Sequence, residues 1–581
     1  MWCTLFVLVS GCTRAPQSPA PPQAALPASA DAPRFVNAAA PLGIAFTHEN
    51  GATGKKYMPE TVGSGCAIFD YDNDGWLDVL FVSGRGWTGD IPSKPKLPPS
   101  LDLFKNHEGK RFENVTRAAG LWVSLYGMGA AVGDYDNDGF EDVYVTGVGD
   151  SRLFHNNGNG TFTDVTKPAG VRITAWGMSA VWFDMDGDGD LDLFVPTYVD
   201  WSIAHDQYCK NTLGQKTYCG PDAYPGSPHV LFRNDGGGKF TDVTATAGVG
   251  TPTAKGMGAV ALDLNGDGAL DLLVANDRVP ANVFLNDGHG VFTDVGPESG
   301  LLYGEVMGQS VAGMGVDVAD FRNDGSLGVL LTNFAGEGLA FFEQQEPARF
   351  TQRSRQAGFF QASINTLGFG VVFADLNNDG WPDAFIANGH IQDDIEQFVA
   401  TTSFRQRPLL FLNDGKGGFT DQTSAASADV QSAVVGRGLA VGDLNNDGWL
   451  DLVVNTNAGP AQVFLNQPPA GRHWLSVRLE GTKSGHDPFG ARVEVTTGGV
   501  TQRGWMLSGG SYLSSRDPRV HFGLGMHATA ERLRVVWPSG ATEEFTNVEA
   551  DHMLLIREGQ GITARAPAGA ASPHNAASPK D

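Results

Sequence analysis

Charge and cysteine are what this 581-residue chain has least of. Asp, Glu, Lys and Arg make up only 18% of it and there are 5 cysteines, which excludes both a highly charged disordered chain and a small disulfide-built scaffold. Lys and Arg number 40 against 65 Asp and Glu, a formal net charge of −25. No basic stripe interrupts that excess, which argues against nucleic acid as a partner. No apolar run is long enough to span a bilayer. The GxSxG elbow, HExxH, CxxCH and the P-loop are missing too, and with them the hydrolase, protease, haem and nucleotide signatures those motifs carry.

Glycine and phenylalanine are plentiful, with 76 and 34 copies, the profile of a turn-rich, aromatic-packed all-β protein. Length alone suggests three or four domains, but an internal repeat overrides that prior. Seven segments share one template: an apolar strand, an acidic nine-residue loop, and a second apolar strand. The loops are DYDNDGWLD from Asp70, DYDNDGFED from Asp134, DMDGDGDLD from Asp184, DLNGDGALD from Asp263, DFRNDGSLG from Asp320, DLNNDGWPD from Asp375 and DLNNDGWLD from Asp443. They hold 25 of the 65 acids, so the acidity is local to them. Strands such as GMGAAVG and GMGAVAL precede the loops, and VYVTGV or LVVNTN follows. A third strand recurs as LFKN, LFHN or VFLN and a fourth as RFENVT, TFTDVT or GFTDQT, giving a four-stranded antiparallel blade. Only six fourth strands follow the seven loops. The seventh is at the front, in RFVNAAAPLGI from Arg34, and an N-terminal strand that completes the last blade closes a propeller without a free sheet edge. The fold expected over 34–466 is a seven-bladed β-propeller.

Oxygen ligands at loop positions 1, 3, 5 and 9, a backbone carbonyl at 7 and water make up the six to eight hard donors that Ca²⁺ prefers, and Gly at 6 allows the turn. The expected ligands are Asp70, Asp72, Asp74, Trp76 (carbonyl) and Asp78; Asp134, Asp136, Asp138, Phe140 (carbonyl) and Asp142; Asp184, Asp186, Asp188, Asp190 and Asp192; Asp263, Asn265, Asp267, Ala269 (carbonyl) and Asp271; Asp375, Asn377, Asp379, Trp381 (carbonyl) and Asp383; and Asp443, Asn445, Asp447, Trp449 (carbonyl) and Asp451. An EF-hand needs a Glu at position 12, where these loops carry Phe81, Val145, Val195, Val274, Leu331, Ile386 and Val454. The fifth loop, with Arg322 at a ligand position and Gly328 at the closing one, is expected to hold no metal, its guanidinium replacing the cation. About six Ca²⁺ are therefore expected, acting as folding ligands. The loops with Asn at position 3 should bind more weakly, in the range of roughly 10⁻⁴ to 10⁻³ M.

On these loops and strands the chain resembles FG-GAP/VCBS repeat proteins, whose propellers occur in integrin α subunits and bacterial surface proteins with calcium in such loops. FTHENGATGKKYMPETVGSGCAIFDYDNDG (46–75) and YCGPDAYPG (218–226) look more narrowly like bacterial relatives of cartilage acidic protein. Residues 472–558 are β-rich outside the repeat and read as a small β-sandwich. FGARVEV, GGSYLSS, VHFGLG and VVWPSG there are similar to the ASPIC/UnbV domain, which implies an extracellular partner and no catalytic residues.

The first twelve residues resemble a bacterial lipoprotein signal with a lipobox at Val9-Ser10-Gly11-Cys12, although no basic residue precedes the apolar run; Cys12 would carry the lipid at the cell envelope, the alternative being an ordinary cleaved signal and a secreted chain. Residues 13–33 read as a Pro/Ala tether and 559–581 as a disordered tail. Cys209 and Cys219 bracket a polar insertion and are expected to form a disulfide in an exported chain; Cys66 is expected to be buried in a strand. His48, Glu60 and His390 read as structural hydrogen-bonding residues. The expected function is a surface-anchored, extracytoplasmic, monomeric binding scaffold for a protein or glycan, not an enzyme. The alternative is a hydrolase or lyase with its pocket at the propeller mouth. A deep cavity lined by His, Tyr, Arg or Glu would favour catalysis; a shallow face with exposed aromatics would favour binding.

Overall fold

A computed structural model describes residues 32–84, 99–305, 310–467 and 471–574. The signal, Cys12 and all but the last two residues of the tether lie outside the described residues.

Seven four-stranded antiparallel sheets form the body of the molecule. Blade 1 runs Cys66–Phe69, Asp78–Val82, Leu101–His107 and Arg111–Asn114. The innermost strands of blades 2 to 7 are Gly127–Gly133, Val181–Phe183, Gly256–Leu262, Val316–Ala319, Gly368–Ala374 and Gly436–Gly442. Each innermost strand packs against the next and the seventh against the first, so the ring is closed. Blade 7 takes its outer strand from the N-terminal segment: Arg34–Asn37 pairs with Gln462–Gln467, Phe35 opposite Asn466. Phe35 is fully buried with its ring edge-on to Phe385 and Phe464, an anchor of about 2–3 kcal/mol. The innermost strands are buried on both faces, which explains their unbroken apolar runs.

The C-terminal domain consists of two four-stranded sheets. One orders Val520–Gly525, His473–Glu480, His552–Arg557 and Gly561–Pro567; the other orders Val500–Trp505, Arg492–Thr497, Thr529–Val536 and Thr542–Glu549. Gly561–Pro567 corrects the expectation of a disordered tail. It pairs antiparallel with His552–Arg557, and Ala566 packs on Trp474 and Met553. Its Ala-rich composition hid a strand that turns only Ile562 and Ala566 onto apolar neighbours.

Residues 506–517 leave this domain and plug the propeller's centre, hydrogen-bonding to every blade. In blade 1, Ser515 N–H donates to Cys66 O (3.0 Å) and Ile68 N–H to Ser515 O (3.1 Å). In blades 2 to 4, Ala130 N–H reaches Leu513 O, Trp182 N–H reaches Ser508 Oγ, and Gly510 N–H reaches Ala259 O. In blades 5 to 7, Val316 N–H donates to Ser511 O and Val371 N–H to Ser511 Oγ, whose hydroxyl donates to Leu439 O. The inward edges of the innermost strands would otherwise be buried and unpaired, a cost of about 1–3 kcal/mol per group. Gly258 is needed because a Cβ there would lie 2.9 Å from Ser511 O.

Candidate metal centres and the open face

Each acidic loop is first of all an Asx turn built by its own carboxylates. In the first, Asp70 accepts the N–H groups of Asp74 (3.0 Å) and Gly75 (2.7 Å), and Asp74 accepts that of Trp76 (3.0 Å). Asp78 accepts from Tyr71 N–H (3.1 Å) and, across the blade, from Asn106 N–H (2.7 Å). The same pattern returns at Asp134, Asp184, Asp263, Asp375 and Asp443.

Carboxylate oxygens of Asp70, Asp72 and Asp78 lie within 4.8 Å of one another, as do those of Asp134, Asp136 and Asp138 and those of Asp184, Asp186 and Asp192. One oxygen each of Asp72 and Asp186 is buried without a hydrogen-bond donor, the signature of an acceptor set that suits a cation. Burial, then mutual repulsion, pushes the carboxyls up: Asp70 to about 6, Asp375 to about 8, Asp78 and Asp451 well above the usual range. A divalent ion would reverse that cost. In the fourth, sixth and seventh loops the Asn at position 3 instead donates to the position-5 carboxylate, Asn265 to Asp267 (2.7 Å), Asn377 to Asp379 (2.9 Å) and Asn445 to Asp447 (2.9 Å). Asp190 turns outward to accept from Asn137 Nδ2 (2.9 Å).

The fifth loop is built around guanidinium groups. Arg322 pairs with Asp324 (3.1 Å) and Glu343, and Arg503 of the C-terminal domain pairs with the buried Asp320 (3.0 Å). A Cβ at Gly328 would meet the rings of Phe321 (2.7 Å) and Phe341 (2.9 Å), leaving no room for a ninth-position carboxylate.

Several residues that hold the sites together were not singled out from the sequence. The Asn ending most third strands clamps two blades: Asn106 Nδ2 donates to Leu77 O of its own blade and Leu444 O of the preceding one, and Asn156, Asn234, Asn286, Asn413 and Asn466 repeat this. In blade 5 Gln344 takes over, bonding to Leu264 O and Leu327 N–H. The fourth loop residue, when Asn, links to the next loop: Asn73 to Gly139 O, Asn323 to Gly380 O, Asn378 to Gly448 O and Asn446 to Gly75 O. Lys105 lies between Asp72 and Asp74 (3.0 Å to the latter), and His155 lies 3.2 Å from Asp142 and 3.5 Å from Asp136. The repeated Asn was visible as the last letter of LFKN and VFLN.

The C-terminal domain sits over the loop end of the ring. Besides Arg503, Arg519 donates to Asp443 O (3.0 Å), Arg472 to Asn377 O (2.6 Å) and Arg478 to Glu141 (2.9 Å), while His486 lies 3.1 Å from Asp134. Among the described residues the opposite end is left uncovered by the C-terminal domain. It carries the 198–226 insertion, closed by a Cys209–Cys219 disulfide, with Ile203, Tyr208 and Leu213 exposed. At the mouth, Tyr512 of the plug, Phe369, Met128, Met178, Met257 and Met314 form one buried cluster, beside a cavity of about 200 Å³ lined among others by Met58, Tyr198, Asp277 and Arg278. Its lining includes no His, Ser or Lys. His48 and His390 accept backbone N–H groups and are pushed down, to about 3 and about 4, chiefly by burial; Glu60 accepts from Tyr218 OH (3.1 Å). Burial also pushes the Cys66 thiol up to about 12.

FG-GAP-like repeats match residues 70–145, 134–195, 223–274, 263–331 and 393–454, together about half of the chain, and ASPIC and UnbV matches 481–563. Cartilage acidic protein 1 of Mus musculus is 25% identical over 525 residues, covering 84% of this chain and 74% of that protein. The Xenopus tropicalis protein of that name is 28% identical over 309 residues, 52% of this chain and only 44% of its own length. Integrin alpha-3 of Mus musculus is 26% identical over 136 residues, 23% of this chain and 12% of that protein. Among solved structures, Trypanosoma rangeli sialidase is 12% identical at a TM-score of 0.32, covering 70% of this chain and 55% of that one.

Proposed function

Because this chain belongs to the FG-GAP-like repeat family and carries an ASPIC and UnbV domain, we propose that it is a calcium-stabilised extracytoplasmic scaffold. In this reading Cys12 anchors it by lipid, and it binds a protein or glycan through the end of the ring opposite the metal loops. The observation that carries this is the contact of the C-terminal domain with the loop end, through Arg503 on Asp320, Arg519 on Asp443 and Arg478 on Glu141. Calcium then acts inside the molecule, shaping the surface on which the second domain rests, and recognition falls to the open end. Exposed Tyr208 (63%) and Leu213 (67%) are the apolar groups that such contacts use. The disulfide supports an oxidising compartment, and no helix among the described residues is long and apolar enough to cross a membrane.

Arrays of extracellular proteins and glycans, probed with purified protein in calcium and again in EDTA, test the reading. Binding should weaken at least tenfold in chelator and in a Tyr208→Ser/Leu213→Ser double variant. Chemical conversion of the bound ligand would instead establish the enzyme alternative, and binding indifferent to both treatments would remove the open end from consideration.

A further inference from the structure

The cavity at the open mouth has a chemistry of its own. Its floor is apolar and soft, made by Met58, Met257, Met314, Phe369 and Leu367. Thioether and aromatic groups adapt to apolar shapes and favour polarising, cationic guests. On one wall stands Asp277, only 8% exposed. Its Oδ2 accepts from Tyr198 OH at 2.5 Å, while Oδ1 has no hydrogen-bond donor among the described residues. The neighbouring cations act on Asp277 only through space and make their ion pairs and hydrogen bonds with other groups. Arg278 lies between Asp222 (3.6 Å) and Glu337 (3.8 Å), and Lys255 donates to Pro221 O (3.0 Å) with Asp222 at 3.8 Å. Three carboxylates and two cations make up this group, with the buried Arg437 stacked over the far side of the floor on Phe369 (3.8 Å), and Asp277 lines the same cavity as Met257, Met314 and Phe369. A desolvated carboxylate in such surroundings gains most from a charge-assisted hydrogen bond.

We propose that this cavity binds an ammonium group carried on an apolar body, the ammonium donating to Asp277 Oδ1 and the body lying against Met257, Met314 and Phe369. The assignment names where the binding role proposed above would be exercised, and so rests on that reading. A cavity of about 200 Å³ takes a short alkyl or single-ring amine, or the end of a lysine side chain.

The test uses the full chain in calcium, labelled with methyl-¹³C methionine, titrated with hexylammonium, hexanol and hexanoate, and with a lysine-containing peptide beside its acetylated form. Hexylammonium should shift the methyls of Met58, Met257 and Met314, leave those of Met185 and Met553 unmoved, and bind at least tenfold more tightly than hexanol or hexanoate. Asp277→Asn should reduce it to the level of hexanol; the unmoved methyls report that the variant is folded. Peptide binding lost on acetylation would place the source in a protein, and binding of the free amine alone would place it in a small molecule; either supports the cavity assignment. Equal binding of the three probes, shifts elsewhere, or an unaffected Asp277→Asn would overturn it. Should no probe bind while the arrays still do, the cavity assignment fails and the scaffold reading stands.

Discussion

Lys105, His155 and Arg233 occupy one place in the third strands of blades 1 to 3, just before the clamping Asn, and Leu285, Leu412 and Leu465 occupy it in blades 4, 6 and 7. The cations stand where position 3 of the loop is Asp and the leucines where it is Asn. The fourth carboxylate thus comes with a positive neighbour, which removes the charge argument for weaker binding at the Asn-containing loops. Lys105→Leu should tighten calcium at the first loop by about tenfold, read by competition with a chelating dye, since it deletes a charge within a few ångström of the ion. Glu558 gives a separate, metal-independent signal. Burial alone would raise its carboxyl, but hydrogen bonds from Ser539 and from the N–H groups of Thr482, Lys483 and Ser484 outweigh that and pull it down to about 2. A depressed folded pKa contributes stability that is complete above the ordinary 4.5 and lost as pH falls towards 2. Denaturant titrations from pH 6 to pH 2.5 should therefore fall less steeply for Glu558→Gln, which starts from a lower stability at pH 6.

The loops are elements whose parts can be separated by mutation. Asn323 has φ of 54° and donates to Gly380 O (2.9 Å) in a loop expected to hold no ion. Asn323→Gly keeps the left-handed backbone and loses only the hydrogen bond, about 1 kcal/mol. Asn323→Ala adds strain and should cost about 2 kcal/mol or more in urea unfolding; equal losses would show that the backbone conformation carries no strain. For the six acidic loops the sign with pH is opposite to that of Glu558. With Asp70 raised to about 6, Asp271 to about 7 and Asp375 to about 8, the metal-free folded state binds more protons than the unfolded chain. In EDTA, stability should therefore decline as pH rises from about 4 to 8. The increment in Tm given by calcium should grow over the same interval, because the ions require those carboxylates ionised. Thermal melts at four pH values, with and without chelator, check both slopes.

Taken whole, the molecule is a ring locked by a segment of its other domain. Seven blades share hydrogen bonds with residues 506–517, and the C-terminal sheets rest on the loop end. Calorimetry of the full chain should then give one transition covering both domains, moved upward by calcium according to mass action. Two separated transitions, only one of them sensitive to calcium, would contradict a shared core.

Periodic information was enough for the blades, the closure through Arg34–Asn37, the acidic loops and the departure of the fifth at Arg322 and Gly328, because each depends on residues a few positions apart or on a pattern repeated seven times. The strands Val500–Trp505 and Thr542–Glu549 were illegible since the first is mostly half-buried, the second mostly exposed, and both carry little apolar alternation. GMG motifs and GGSYLSS were both visible, yet nothing in either says that one fills the other. That match joins Gly258 to Ser511 and Met257 to Tyr512 across some 250 residues of chain. Which end of the ring the C-terminal domain covers, and that Asp277 lines a methionine-rich cavity, are likewise decided only when distant segments meet, because they depend on packing between surfaces rather than on local pattern.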